Sequence, residues 1–411
     1  MRRDKAMVSV DDFNDEEEPL AVGNMVVDVG LSDKQIEKTF ETGRLRVVQE
    51  KNDIFLSHVI QFIRGESEGV WGNLRPEYQR RLRWDNKKKS KLIESFIMNV
   101  PVPPVFLYEK ELGRFEVMDG QQRLNAIADF LSGSFELEGL DIWKALNGRN
   151  YSSLPPLVRR GLDRAKISAI TLMSDNSSSK EDSLDLRAQV FERLNTGGEQ
   201  LNQQELRNSL YSGEFNLLIV ALSKLPNFTS AWEIPNHEEN TLADKSVSAE
   251  LTQNTLYKRM ADVEIVLRFF AFRDPTKLSG SVRSMLDSTM KRWRHIDDQT
   301  SAKFKADFED ALELCVTIFG EDTFRLPKAP RQRIGKLSRP LFDAEMIALF
   351  NLREHRRLLV LNSDKIRRNI LELATPGGES YELMVGRGNT ATAIKDRISA
   401  VEDVIWRIIN V

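Results

Sequence analysis

The hydrophobic pattern changes character along this chain, and that change limits the folds it can adopt. The apolar runs VFLYE (105–109) and RFEVM (114–118) have the length of strands and lie on either side of a turn at Leu112-Gly113. Farther along, apolar residues recur with a helical period over 186–194, 203–211, 256–272, 304–319, 341–350 and 391–409. The pattern predicts an α+β protein in which a small α/β domain precedes a mostly helical domain.

Composition predicts the boundaries of these domains. The first segment, residues 1–45, contains DDFNDEEEPL, in which acidic residues repel one another and favour a flexible, solvated chain. An alternative is that this acidic segment mimics DNA and inhibits the chain. The α/β domain is predicted at 46–175 and the helical domain at 176–411, with the Ser- and Asp-rich MSDNSSSKEDSLD near their junction.

Several function classes fit the sequence poorly. The net charge of −3 over 411 residues means that any binding to nucleic acid needs a local basic cluster. Cys315 lies in an apolar run and is expected to be a small core residue. The sequence has no P-loop motif, and its four histidines are scattered. No signal-peptide pattern and no apolar run near the roughly 20 residues of a membrane helix is present, so a cytoplasmic protein without membrane contact is expected.

The strongest candidate site is the pentapeptide DGQQR, at the predicted junction between a strand and a helix. Gly120 would allow a sharp turn, and the N–H groups of a helix start would bind an anion. Arg123 would bind phosphate oxygens through its forked guanidinium. Asp119 would hold Mg²⁺ or orient a water molecule, and Gln121 and Gln122 would position the attacking group. The purely structural alternative makes Asp119 the N-cap of the helix and Gly120 a simple turn residue.

A basic segment with interleaved aromatic residues comes shortly before this pentapeptide. Residues 75–91 hold eight Lys or Arg and two acidic residues. Such side chains bind phosphates, and aromatic rings stack on bases. The DNA-binding candidates are Tyr78, Gln79, Arg81, Arg83 and Trp84, and Arg80 is assigned to a phosphate. A solvated charged surface is the alternative for Lys87–Lys89.

A third group of polar residues occurs in VFERLNTGGEQLNQQELRNSLYSGEF, residues 190–215. Asn202 and Glu205 fit a capping box, which accounts for them structurally. Arg207 and Asn208 remain as phosphate-binding candidates, and Glu205 or Asn208 is predicted to hold Mg²⁺ together with Asp119. The loop 324–340 has six Lys or Arg and no acidic residue, so Arg331 and Arg333 are further DNA-contact candidates, although a solubilising loop is equally compatible.

The segments EYQRRLRWDNKKKSKLIESFIMNVPVPPVFLYE, FEVMDGQQRLNAIADFLSG and VFERLNTGGEQLNQQELRNSLYSG together resemble the DGQQR-type N-terminal domain of GmrSD-like restriction proteins, which is related to the ParB/sulfiredoxin fold. The resemblance implies a small α/β domain that binds nucleotide phosphates through Gly120 and Arg123. It also implies that residues 119–123 serve nucleotide hydrolysis linked to DNA cleavage in phage defence. Many members carry a C-terminal HNH nuclease domain, but His237, His295 and His355 lack its spacing, so a separate nuclease subunit is an expected partner.

These observations support one leading hypothesis and two alternatives. The leading hypothesis is a component of a prokaryotic DNA-targeting defence system that binds a nucleoside triphosphate and hydrolyses it with Mg²⁺. The first alternative is a non-enzymatic DNA-binding sensor or adaptor for a partner nuclease. The second is a Mg²⁺-dependent enzyme that nicks DNA at the DGQQR motif.

Overall fold

A computed structural model describes residues 32–37, 47–64, 71–73, 84–174, 190, 202–241, 247–328, 334–378, 380–386 and 388–410. The chain divides into two compact units. The first, here the sheet unit, is Asp15–Asn202, and the second, here the helical unit, consists of Met1–Asn14 and Gln203–Val411. The acidic segment predicted at 1–45 is described only at residues 32–37, so the predictions for residues 1–31 and 38–45 lie outside the described residues.

The sheet unit contains a five-stranded mixed sheet. Its strands are β1 (Val47–Phe55), β2 (Trp71–Asn73), β3 (Val105–Glu111), β4 (Arg114–Asp119) and β5 (Lys166–Ser174). Their spatial order is β1-β5-β3-β4-β2. The β3–β4 pair is an antiparallel hairpin with Phe106 opposite Asp119, whereas β5 runs parallel to β3. The end of β4 therefore lies beside the beginning of β3.

The described helices of the sheet unit are α1 (33–37), α2 (Leu56–Arg64), α3 (Asn86–Ile97), α4 (Gln121–Leu131) and α5 (Pro156–Arg164). The sequence offers Asp85 and Asn86 as N-caps for a helix starting here, and Asp85 is the cap, because its side chain accepts the Lys88 N–H. The apolar residues Leu124, Ile127 and Ala128 of α4 are fully buried. They join Val105 and Val117 of the hairpin in one core, so α4 is fixed against the sheet.

The helical unit has thirteen described helices. They are α6 (Gln203–Leu210), α7 (Glu214–Leu222), α8 (Pro226–Ala231), α9 (Ala249–Gln253), α10 (Thr255–Lys258), α11 (Ala261–Phe272), α12 (Val282–Trp293), α13 (Asp298–Phe319), α14 (Arg339–Asn351), α15 (Arg356–Leu361), α16 (Ser363–Leu373), α17 (Tyr381–Met384) and α18 (Ala391–Ile409). Short 3₁₀ turns connect several elements of both units. The α+β class is confirmed. Among the described residues, no helix is both long enough and apolar enough to cross a bilayer.

Two segments show where hydrophobic pattern alone falls short. The periodicity of IFLSHVIQFI, residues 54–63, fits a buried helix or a strand, and the segment contains the end of β1 and most of α2. The single helix predicted over 256–272 is interrupted at Met260, which has a left-handed backbone with φ 55°. Hydrophobic periodicity continues across that break because Leu256, Met260 and Val263 all point into the core.

Two ionisable side chains of the helical core, those of Cys315 and Glu345, are buried. Cys315 is buried and its thiol lies 3.6 Å from the Met346 sulfur, which confirms it as a core residue. The carboxyl group of Glu345 is 1% exposed and accepts the backbone N–H of Phe324 at 3.0 Å. Burial raises the pKa of Glu345 well above 4.5, and the charge of Asp322 raises it further. The protonated form is therefore the one that the fold stabilises.

This raised pKa predicts how the stability of the helical unit depends on pH. A carboxyl group whose pKa is raised on folding stabilises the fold fully below its unfolded pKa and loses that contribution as pH rises through its folded pKa. We expect Glu345→Gln, which cannot titrate, to remove a decline of up to about 1.4 kcal/mol per pH unit above pH 4.5. Denaturant unfolding between pH 5 and 8 measures it, and parallel profiles for the two proteins would contradict it.

Candidate functional site

The DGQQR residues form a tight turn between a strand and a helix. Asp119 is the last residue of β4, and Gln121 is the first residue of α4. Gly120 joins them in a left-handed conformation with φ 95° and ψ 9°. A Cβ at this position would lie 2.4 Å from Cγ1 of Val105 and 3.1 Å from Nη2 of Arg123. Glycine is therefore required both by the backbone angle and by two neighbouring side chains.

Arg123 folds back across Gly120 toward the end of the strand. Its Nη2 donates to Oδ2 of Asp119 at 2.7 Å and to the carbonyl oxygen of Pro104 at 3.2 Å. The side chain of Arg123 is 16% exposed, whereas that of Asp119 is 49% exposed. The Nε atom of Arg123 is buried without a hydrogen-bond partner among the described residues. The guanidinium is thus held in place while one of its donors is left unused.

The capping interpretation of Asp119 is wrong. The N-cap of α4 is Gly120, and this helix has no side-chain cap. The carboxylate of Asp119 instead pairs with Arg123, four residues later, because the left-handed glycine turns the chain sharply between them. The N-terminus of α4 consequently has positive dipole character without a carboxylate cap, which favours an anion there.

Trp84 lies at the same end of α4. Its backbone N–H donates to Oε1 of Gln122 at 3.4 Å, across 38 residues of sequence. The ammonium group of Lys88 lies 5.1 Å from the centre of the Trp84 ring. The contact places Trp84, which lies within the basic segment 75–91, beside the second residue of α4. Sequence reasoning treated these as two separate motifs, and no spacing signal joined them.

The metal-binding capacity of this turn rests on Asp119. Its carboxylate offers the hard oxygen ligands that Mg²⁺ prefers, and it is half exposed. Among the residues that the structure describes, no group of three or more His, Cys, Asp or Glu side chains could hold a metal ion. A single carboxylate is compatible with Mg²⁺ when phosphate oxygens and water complete the coordination, which is the usual arrangement at nucleotide sites.

The polar candidates of the segment 190–215, here called the second signature, with DGQQR as the first, lie in α6 within the helical unit. They are Glu205, Arg207 and Asn208, and all three are buried. Arg207 donates from Nη1 to Glu264 at 3.0 Å and from Nε to Asp287 at 2.7 Å. Asn208 accepts from Nε2 of Gln204 at 2.8 Å, and Glu205 is fully buried. Their predicted phosphate and metal roles remain predictions. In this structure the charge of Arg207 is balanced by two carboxylates.

The surroundings of Glu264 show how strongly this network is held. Burial alone would raise the pKa of Glu264, but the positive charges of Arg339, Arg207 and Arg268 hold it below its usual value. Arg268 in turn makes a bidentate pair with Asp343, at 2.9 Å and 2.6 Å. The second signature thus contributes one arginine to a buried ion-pair network.

Most of the predicted DNA contacts lie outside the described residues. These are Tyr78, Gln79, Arg80, Arg81, Arg83, Arg331 and Arg333. Of that group of candidates, Trp84 alone is described. Lys87, Lys88 and Lys91 follow it with exposed side chains on α3.

Comparison with known proteins supports the motif assignment. Residues 59–212 match the family model of the GmrSD restriction endonuclease, N-terminal domain. The resemblance to that domain is confirmed for these residues. The GmrSD-type segment includes the DGQQR turn, and it extends through α6, so it contains both signatures. No curated protein matches the chain.

One solved structure was also matched, a Pnob8-like ParB-N domain in a C2221 crystal form. It shares 11% identity and a TM-score of 0.21, with 89% of this chain and 100% of that chain covered. At that score the match adds no argument about the fold. The α+β assignment rests on the strands and helices described above.

The close packing at residue 120 predicts a large effect of a single methyl group. We expect Gly120→Ala to destabilise the sheet unit by about 2–5 kcal/mol, from the left-handed backbone and from overlap with Val105. The matched control is Gly133→Ala, where φ is also positive at 74° but no atom lies within 4 Å of the new Cβ. That control should cost about 1 kcal/mol, from the backbone alone.

A second variant tests the steric part of this explanation. Combining Gly120→Ala with Val105→Ala removes the nearest overlapping atom, Cγ1 at 2.4 Å, and leaves the Cβ of residue 105 at 2.8 Å. Chemical denaturation should therefore show less than additive destabilisation. Equal destabilisation by Gly120→Ala and Gly133→Ala would show that contact with Val105 does not contribute.

Proposed function

We propose that this chain is the nucleotide-binding component of a DNA-targeting defence system, and that it hydrolyses a nucleoside triphosphate at the DGQQR turn. The observation that carries the proposal is the position of Arg123, whose guanidinium is anchored beside the uncapped N-terminus of α4. The match to the GmrSD N-terminal domain supports the link to restriction of foreign DNA. Localisation in the cytoplasm, where phage DNA enters, is part of the same proposal.

In this proposal each residue of the turn has a separate task. Arg123 and the backbone N–H groups of the first helical turn bind the phosphates of the nucleotide. Gly120 lets a phosphate approach the backbone closely, since it has no side chain. Asp119 binds Mg²⁺, which would neutralise negative charge on the transferred phosphoryl group.

The two glutamines differ in their surroundings. The Oε1 atom of Gln122 accepts the N–H of Trp84, so part of its amide is occupied in holding Trp84. Gln121 is the first helical residue, and its backbone carbonyl accepts from Asn125 at 3.1 Å. We therefore assign the positioning of the attacking water to Gln121 first, with Gln122 as a support for the site. Catalysis of this kind depends mainly on positioning and on charge neutralisation.

The decisive experiment is nucleotide binding measured by thermal unfolding with GTP, ATP and CTP in the presence of Mg²⁺. A ligand at 100 times its Kd stabilises the folded state by about 2.7 kcal/mol, so a shift in Tm is expected for at least one nucleotide. Arg123→Ala should abolish the shift, whereas Arg160→Ala, at an exposed position on α5, should retain it. Phosphate release by the wild type then reports hydrolysis. Absence of both binding and turnover would refute the proposal.

DNA is the second ligand of the proposed function. The basic segment 75–91 ends on α3, where Lys87 and Lys88 are exposed and Lys88 lies over the Trp84 ring. Cations of this kind bind DNA phosphates with little regard to sequence. A nuclease subunit encoded separately would then make the cut that the DNA contact directs.

The salt dependence of DNA binding tests this part. Each lost phosphate contact reduces the slope of log K against log salt by about 0.9, so Lys87→Gln combined with Lys88→Gln should reduce it by about 2. Lys303→Gln, exposed on α13, serves as the control and should leave the slope unchanged. Binding that is insensitive to salt would contradict the phosphate contacts. Nicking of supercoiled plasmid by the wild type, lost in Asp119→Asn, would favour a Mg²⁺-dependent DNA nickase instead.

A further inference from the structure

The Asp119–Arg123 ion pair uses a guanidinium group that a bound phosphate would also use. The donor that faces Asp119 is Nη2, at 2.7 Å, and this group is also the one that lies over Gly120. A carboxylate and a phosphate both use a guanidinium through the same N–H groups. Asp119 thus occupies an Nη2 donor of Arg123 that an incoming phosphate would also use.

We infer that Asp119 competes with the phosphate groups of a nucleotide for Arg123, and that Mg²⁺ relieves this competition by binding Asp119 together with phosphate oxygens. This inference rests on the proposed nucleotide site and adds its regulation. Mg²⁺ would hold Asp119, which competes with phosphate for Arg123. A phosphate bound to Arg123 would in turn release Asp119 for Mg²⁺. Metal and phosphate chain therefore bind with positive coupling, and the coupling is equal in both directions.

The exposures of the two side chains favour Asp119 as the partner that moves. Asp119 is 49% exposed, so its carboxylate can rotate toward solvent and a metal ion. Arg123 is only 16% exposed and has a second anchor in the Pro104 carbonyl oxygen. The guanidinium therefore stays near α4 when the carboxylate leaves. The Nε atom of Arg123, which has no hydrogen-bond partner among the described residues, offers a further donor.

The need for a shared metal follows from the ligand count. Asp119 alone supplies too few oxygen atoms to hold Mg²⁺, which prefers six ligands and keeps several waters. Phosphate oxygens would complete the coordination. The metal is accordingly expected to bind weakly without the phosphate chain, and the pair should bind as a unit.

The experiment uses tripolyphosphate as the probe, because it carries the phosphate chain common to all nucleoside triphosphates and no base. Its Kd for the full chain is measured by calorimetry in EDTA and in Mg²⁺. In EDTA, Asp119→Asn should bind tripolyphosphate about two- to fivefold more tightly than the wild type, because the internal competitor is gone. In Mg²⁺ the order should reverse, and the gain from Mg²⁺ should be smaller in the variant than in the wild type by at least about fivefold.

The matched control is Glu111→Gln. This residue is an exposed carboxylate on the same hairpin, paired with Arg114 at 3.7 Å, but at the opposite end of β3 from the DGQQR turn. The Glu111→Gln substitution removes the same charge and also breaks an arginine pair. A general electrostatic effect would therefore appear in both Glu111→Gln and Asp119→Asn. Asp119→Ser provides a second substitution of the half-exposed site and should behave as Asp119→Asn does.

The outcomes separate the inference from the function on which it rests. Failure of tripolyphosphate to bind the wild type under either condition would reject the phosphate site, and the inference with it. Binding to the wild type that Asp119→Asn weakens in EDTA would overturn the inference alone. An equal effect of Mg²⁺ on the two proteins would also overturn it, and would leave the phosphate site in place.

Discussion

The close contact between Gly120 and Val105 determines what the sheet unit can present at the end of β4. Val105 is fully buried at the start of the central hairpin strand, and it fills the space that a side chain at residue 120 would require. The chain therefore passes from strand to helix through a left-handed glycine, with α4 packed directly on the sheet. That path brings Asp119 beside Arg123, although one belongs to a strand and the other to a helix. The chemistry of the motif depends on this steric contact.

The two family signatures use arginine in different physical settings. Arg123 is anchored by a backbone carbonyl and by an exposed carboxylate, which costs little to displace because water can solvate the group that leaves. Arg207 lies between Glu264 and Asp287 inside the helical unit, and separating these charges in a buried setting is expensive. The first arrangement suits exchange of one anion for another. The second suits a fixed internal connection between α6 and the helices that follow it.

The sequence predicted the strand–helix junction and the helical period well, because both follow from local spacing. It located the hairpin, the start of α3 and the last helix to within one or two residues. It could not predict the break at Met260, since a left-handed backbone at a non-glycine residue is imposed by the packing around it. It also could not choose between a cap and an ion pair for Asp119. That choice depends on Gly120 taking the N-cap position, which the letters D-G-Q-Q-R leave open.

Sequence reasoning also grouped residues by chemical type, and tertiary contacts regroup them. Trp84 was assigned with the basic segment as a DNA contact, yet its backbone is hydrogen-bonded to Gln122 of the proposed nucleotide site. One hydrogen bond thus connects Trp84 of the basic segment to Gln122, the second residue of α4. The proposed nucleotide contacts and the proposed DNA contact at Trp84 are therefore adjacent, because the side chain of Gln122 joins them.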